Sequence, residues 1–169
     1  VLALDVMSLK NPGAHDSHSG SPMAVTFIYL PGGHVTFWTK HLVPHRAIYC
    51  KNIIAPMLSS AILSNHLVCG SFTGKIYKFH PGTRQCVRVV DAHNGPINSM
   101  FSIPDGSCMV SGSKDGSVIV WNSDLSVRAK YDLLRIPEVP ILPQIRSVCM
   151  NAFGVVIAGT SSSDIYQLF

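Results

Sequence analysis

Charge is scarce in this sequence: Asp, Glu, Lys and Arg together make up 13% of its 169 residues, against 47% hydrophobic residues. A disordered chain is thereby excluded, because such chains combine low hydrophobicity with high net charge. Long apolar runs are also missing. The most apolar opening, Val1 to Val6, already contains Asp5, and nothing approaches the ~18 to 20 apolar residues that a membrane-spanning helix needs. Paired cysteines are absent as well: Cys50, Cys69, Cys86, Cys108 and Cys149 stand singly among apolar neighbours, with no CxxC. An odd, unpaired set argues against a secreted disulfide framework or a metal site, and for reduced, buried thiols in the cytosol. There is no start methionine and no basic segment followed by an apolar one at this end, so a piece of a longer product is expected.

What charge there is lies unevenly. Residues 1–90 hold eight Lys or Arg against two acidic residues, whereas residues 91–169 hold five against seven. The basic residues of the first part form only loose pairs, Lys75 with Lys78 and Arg84 with Arg88. The asymmetry would favour an acidic partner, but loose pairs rather than a block are better read as a solvated sheet face, and they give no support for nucleic acid.

A repeat is the strongest signal. Val35-Thr36-Phe37-Trp38, Ile76-Tyr77-Lys78-Phe79, Val118-Ile119-Val120-Trp121 and Ile165-Tyr166-Gln167-Leu168 share one pattern, and their last residues lie 41, 42 and 47 apart. A period near 40 made of short β-rich runs is that of a propeller blade of four antiparallel strands. The third unit reads most clearly: strands over Ile97 to Ile103, Cys108 to Ser113, Ser117 to Trp121 and Val127 to Leu133. The turns between them are Pro104-Asp105-Gly106, Lys114-Asp115-Gly116 and Asn122 to Ser126, rich in the residues that turns select. In the second unit, strands are expected over Leu67 to Phe72, Lys75 to His80 and Gln85 to Val90. In the first they are expected over Met23 to Leu30, His34 to Thr39 and Arg46 to Lys51.

The fold class expected is therefore all-β, a partial propeller of about four blades. The units run over 1–51, 52–91 and 92–133, with an incomplete fourth at 145–169 that stops after its third strand. Residues 134–144 carry Pro137, Pro140 and Pro143 and read as a surface connection; Lys10 to Pro22 reads as a loop.

Asp91-Ala92-His93, then Ser111-Gly112-Ser113, Asp115-Gly116 and Trp121 resemble the signature of a WD repeat. The resemblance implies a structural network in which His93, Ser111, Asp115 and Trp121 are joined by hydrogen bonds. Such a network satisfies polar groups that would each cost ~1 to 3 kcal/mol if buried alone, and losing the Trp121 ring should cost about 3 to 5 kcal/mol. Six residues before the tip, where the third unit has Asp115, the others have Gly32, Thr73 and Ser162, so the full set is expected only once. The order of Gly33 to Thr39, Gly74 to Tyr77, Ala92 to Ile97, Ile145 to Cys149 and Ala158 to Thr160 is similar to the propeller region of the echinoderm microtubule-associated protein-like family. This likeness implies a non-enzymatic interaction module of the cytoskeleton with tubulin or microtubules as partner and the parent chain's remaining blades beside it. A general WD-repeat scaffold in a signalling or ciliary complex is the alternative.

Sharper chemistry is less well supported. Ser111-Gly112-Ser113-Lys114 matches Ser-x-x-Lys, but a strand and hairpin already account for it and no helix follows the serine. His93, Asp115 and Ser111 mimic a hydrolase triad, and the structural network is the better account. His15 and His18 lack further ligands for a metal, and no glycine-rich phosphate loop precedes a helix. No catalytic residue, metal, cofactor, nucleic acid or membrane is expected. The candidate partner-binding residues are Lys75, Lys78, Arg84, Arg88, His93, Asn94 and Lys114, with Thr73 near the same end.

Overall fold

The computed structural model describes residues 3–8, 22–27, 34–39, 44–49, 55–80, 83, 85–133 and 143–169, and for those before residue 50 the strands and their pairing. Fifteen strands are described. The first sheet holds β1 (Ala3–Ser8), β2 (Pro22–Phe27), β3 (His34–Thr39) and β4 (Pro44–Tyr49); the second β5 (Met57–Leu63), β6 (His66–Ser71), β7 (Lys75–Phe79) and β8 (Cys86–Asp91). The third holds β9 (Ile97–Ser102), β10 (Cys108–Ser113), β11 (Ser117–Asn122) and β12 (Val127–Asp132), and the fourth β13 (Ile145–Met150), β14 (Val156–Thr160) and β15 (Ile165–Leu168). Each sheet is an antiparallel meander in chain order, with four strands in the first three and three in the fourth.

The chain is all-β, a partial propeller. First strands lie side by side, β1 next to β5, β5 next to β9 and β9 next to β13, so the sheets stack face to face around a common side. Hydrophobic burial follows that stacking. Ala61, Val68, Ile76, Ile97, Met109 and Trp121 form one core between the second and third sheets. Val110, Val118, Ile145, Val148, Val156 and Leu168 form another between the third and fourth. Alternation along each strand supplies both: one face of a sheet looks to the preceding neighbour and the other to the next.

Several turns need φ values that favour glycine or asparagine. Ser64 (φ 48°) and Asn65 (φ 58°) make the two-residue turn between β5 and β6, with both central residues left-handed as a type I′ hairpin requires. Gly74 (φ 80°) and Gly116 (φ 81°) turn the hairpins into β7 and β11.

Two strands were not read from the sequence, β1 and β5, the first strands of their sheets. Boundaries also differ. The second strand of the first sheet starts at Pro22 rather than Met23 and the fourth at Pro44 rather than Arg46, while the expected ends at Leu30 and Lys51 lie outside the described residues. In the fourth strands a bulge sets the register, since Phe79 pairs with Cys86 but Lys78 with Arg88, leaving Val87 as the extra residue. The expected loop over Lys10 to Pro22 and the proline-rich 134–144 lie mostly outside the described residues, with Pro22 in β2. Of the cysteines, Cys69 and Cys108 are buried, Cys86 is half-buried and Cys149 is exposed, so burial of the thiols holds for two of the four described.

Candidate functional site

The hairpin end of the third sheet gathers the signature residues. Ser111 lies mid-strand on β10 and is fully buried. Its Oγ accepts a hydrogen bond from Trp121 Nε1 on β11 at 2.8 Å and meets His93 Nε2 at 2.8 Å. On the other side of the imidazole, Nδ1 is 2.8 Å from Ser117 Oγ, which donates to Asp115 Oδ1 at 2.7 Å. Asp115 Oδ1 stands 3.5 Å from His93 Nδ1 itself. The Ser117 hydroxyl is therefore the closest link between ring and carboxylate, a residue the sequence reading did not include. Its signal was the Asp115-x-Ser117 spacing, in which a turn aspartate reaches the residue two positions on.

The donors run in one direction through this set. Trp121 N–H donates to Ser111, whose own proton serves His93 Nε2. His93 Nδ1–H then donates to Ser117, whose proton serves Asp115. With a proton on Nδ1 and Nε2 accepting, every atom of the set has a partner, and among the described residues no buried side-chain polar atom lacks one.

Asp115 anchors the turn as well. Its Oδ2 accepts from the Asn94 backbone N–H at 2.7 Å and its Oδ1 from the Ser117 N–H at 2.9 Å. Burial pushes this carboxyl up, but the neighbouring His93 imidazole and the hydrogen bonds from Ser117 and Asn94 outweigh it and hold the group far below the ordinary carboxylate range. Beneath the network, the Gly74 carbonyl accepts from the Ala92 and His93 N–H groups at 3.1 and 3.0 Å. A Cβ on Gly74 would lie 2.1 Å from the His93 carbonyl oxygen; only glycine lets the second sheet's hairpin reach this close.

The second and fourth sheets close their hairpins differently. Ser71 Oγ contacts Thr73 Oγ1 at 3.1 Å and accepts from Lys75 N–H at 3.0 Å; Thr160 Oγ1 contacts Ser162 Oγ at 3.0 Å and accepts from Asp164 N–H at 3.3 Å. Ser113 in the third sheet instead accepts from the N–H two residues on, that of Asp115, at 3.1 Å. A hydroxyl at the end of the second strand is common to all three.

The candidate contact residues divide. Asn94, Lys114 and Thr73 are exposed at the hairpin end. His93 is not a surface group, its side chain being 0% exposed. Lys75 pairs with Asp91 at 2.8 Å, and the hydrogen bond and charge of that carboxylate raise its ammonium pKa. Lys78 donates to the Ser123 carbonyl at 3.0 Å, and Arg88 to the Asp124 carbonyl. Both therefore join the second sheet to the turn between β11 and β12 of the third. Burial, then the nearby Arg88 charge, lowers the Lys78 pKa. Arg84, His15 and His18 lie outside the described residues. Among the described residues no three His, Cys, Asp or Glu side chains cluster as metal ligands. Ser111, buried and held from two sides, has no approach for a substrate.

Residues 84–122 match the family model described as WD domain, G-beta repeat. The chain carries a WD repeat. The matched segment takes in β8 of the second sheet and β9 to β11 of the third, so the repeat in the sequence is offset by one strand from the sheet in space. The WD-repeat chain is similar to the 77 kDa echinoderm microtubule-associated protein of Lytechinus variegatus, 29% identical over 144 residues, 82% of this chain and 21% of that protein. It is also similar to the serine-threonine kinase receptor-associated protein of Gallus gallus, 26% identical over 102 residues, 60% of this chain and 27% of that protein. The chain thus spans about a fifth to a quarter of the length of these relatives. Among solved structures, the computationally designed Ika8 protein superposes with a TM-score of 0.66 at 16% identity, over 88% of this chain and 42% of that one, a likeness of fold.

Proposed function

We propose that this chain is a non-enzymatic WD-repeat interaction module of a microtubule-associated protein, with tubulin or microtubules as its partner in the cytoplasm. The observation that carries this reading is the similarity to the echinoderm microtubule-associated protein across 82% of the chain. The site agrees in kind. A buried network fixes the hairpins, and the groups it presents at their tips, Thr73, Asn94 and Lys114, are exposed and polar. That is what a rigid scaffold with variable contact loops requires.

Among the described residues the electrostatic part of the reading narrows to Lys114 and to Lys75, which is paired with Asp91 but exposed, because Lys78 and Arg88 are engaged with the third sheet. Co-sedimentation with microtubules tests it: Lys114→Glu combined with Lys75→Glu should weaken binding and reduce its salt dependence. Binding unchanged by both reversals removes the electrostatic contact. The similarity to the serine-threonine kinase receptor-associated protein favours a second reading, a scaffold in a signalling complex; wild-type protein that leaves microtubules wholly in the supernatant supports it.

A further inference from the structure

The sequence holds one Asn-Gly pair, Asn94-Gly95, and it packs against the β10–β11 hairpin. Other described asparagines are tied down. Asn98 Nδ2 donates to the Ile145 carbonyl at 2.7 Å and Asn122 Nδ2 to Ser126 Oγ at 2.9 Å. Asn151 Oδ1 accepts from the Phe153 and Val155 N–H groups at 2.9 and 3.0 Å. Asn65 lies in a tight turn, and the residue after it, His66, is already paired with Leu63 in the ladder. Asn94 is exposed, and no described residue hydrogen-bonds its side-chain amide.

The backbone around this pair is pinned on both sides. Asn94 N–H donates to Asp115 Oδ2 at 2.7 Å, the Gly95 carbonyl accepts from Ser113 Oγ at 3.1 Å, and the Pro96 carbonyl accepts from the Lys114 N–H at 2.9 Å. Between those anchors lies the peptide bond that joins Asn94 to Gly95. Among the described residues neither its carbonyl nor the Gly95 N–H has a hydrogen-bond partner. The Gly95 nitrogen is therefore free to react, and glycine carries no side chain to hinder its approach.

We propose that Asn94-Gly95 is a self-modification site, at which the folded protein deamidates and thereby loosens the hairpin end of its third sheet. The Gly95 nitrogen gives its proton to hydroxide and attacks the Asn94 side-chain carbonyl carbon. A C–N bond forms, the Cγ–Nδ2 bond breaks, and ammonia leaves from a cyclic imide. Water then opens the imide at either carbonyl, giving aspartate or isoaspartate at position 94. This chemistry needs no other reactant, and it belongs to what makes asparagine thermolabile. The aspartyl product keeps the main chain and adds a negative charge beside Asp115. The isoaspartyl product lengthens the main chain by one methylene between the anchors at Asp115 and Ser113, so both cannot be kept. Asp115 also holds Ser117, and Ser117 holds His93, which carries the disturbance into the buried network.

Incubating the folded chain at mildly alkaline pH, with peptide mapping by mass spectrometry at intervals, tests the proposal. Asn94 should convert to aspartate and isoaspartate ahead of Asn65, Asn98, Asn122 and Asn151. Gly95→Ala should slow the conversion; its Cβ would lie 3.3 Å from the Asp115 nitrogen, a fit that asks for only a slight shift. Gly154→Ala, strained at φ 86° in the fourth sheet's turn, raises the unfolded fraction about 5- to 30-fold yet should leave the rate unchanged, because the reaction proceeds in the folded state. The isoaspartyl form should melt about 2 to 6 °C below Asn94→Asp. Conversion only in urea, a 5- to 30-fold acceleration by Gly154→Ala, or a Gly95→Ala variant as fast as wild type overturns the site. An isoaspartyl form that melts with Asn94→Asp overturns the loosening.

Discussion

Replacing Ser111 by alanine removes a single oxygen and leaves two buried partners behind. Trp121 Nε1 loses its acceptor and His93 Nε2 its donor, both at 2.8 Å in the native protein, and neither is open to water. An orphaned buried polar group costs about 1 to 3 kcal/mol, so two of them should cost about 2 to 6 kcal/mol. That is a large share of the ~5 to 15 kcal/mol that holds a typical domain folded. Urea unfolding followed by tryptophan fluorescence measures it. Ser126→Ala is the control, since that hydroxyl also makes two hydrogen bonds, to Asn122 and Asp124 at 2.9 and 2.7 Å, but near solvent; it should cost only about 0.5 to 1.5 kcal/mol. Trp121→Phe deletes the indole N–H, so Ser111→Ala should cost less in that background. Ser111→Ala within about 0.5 kcal/mol of wild type, or strictly additive with Trp121→Phe, would refute the network.

Three further outcomes follow from the same geometry. The folded-state pKa of Asp115 is depressed, so its contribution is fully present above the ordinary carboxylate pKa of about 4 and is lost as pH falls below it; thermal melts from pH 5 downward should fall more steeply for wild type than for Asp115→Asn. Gly74→Ala and Gly154→Ala both place a side chain at positive φ, 80° and 86°, but only the first meets backbone, at 2.1 Å, while nothing lies within 4 Å of the second. Gly154→Ala should therefore cost about 1 to 2 kcal/mol of left-handed strain, and Gly74→Ala clearly more, as compared by melting temperature. Lys78→Ala removes a contact to a carbonyl near the surface, and by urea titration it should cost no more than about 1 kcal/mol.

The third sheet was legible because every local signal agreed there. Alternation, Pro-Asp-Gly and Lys-Asp-Gly turns and a tryptophan tip all fall in the right order. The first strands β1 and β5 were not, because Ala3–Ser8 and Met57–Leu63 carry no aromatic tip and few β-branched residues, and β5 relies on Ser59, Ser60 and Ala61 where the next sheet comes close. What identifies β5 is comparison rather than propensity. Met57-Leu58-Ser59, Ile97-Asn98-Ser99 and Ile145-Arg146-Ser147 share a spacing, each opposite a glycine. At the candidate surface, charge alone located basic residues but not their heads. Lys78 and Arg88 sit on neighbouring strands in register with one another, and both reach across to the carbonyls of the β11–β12 turn, a contact between residues 36 and 45 positions apart in the chain. The sequence offers His93 both as a network member and, because Asn94-Gly95-Pro96 follows it, as a surface contact; its ring turns inward to the hydroxyls of Ser111 and Ser117.

Face-to-face stacking of successive sheets underlies the buried cores and the presentation of the hairpin tips, and a double-mutant cycle between Gly112 and Ile145 tests it most directly. Gly112→Ala should cost about 1 to 3 kcal/mol by overpacking, because its new methyl would lie 2.5 Å from Ile145 Cγ2 in the next sheet. Ile145→Ala should cost about 2 to 5 kcal/mol, and removing that Cγ2 makes room for the methyl. Urea unfolding of the double variant should therefore show it more stable than the sum of the single losses by about 0.5 to 3 kcal/mol. Strict additivity would mean that the two sheets do not meet through these residues and would contradict the stacked-blade account.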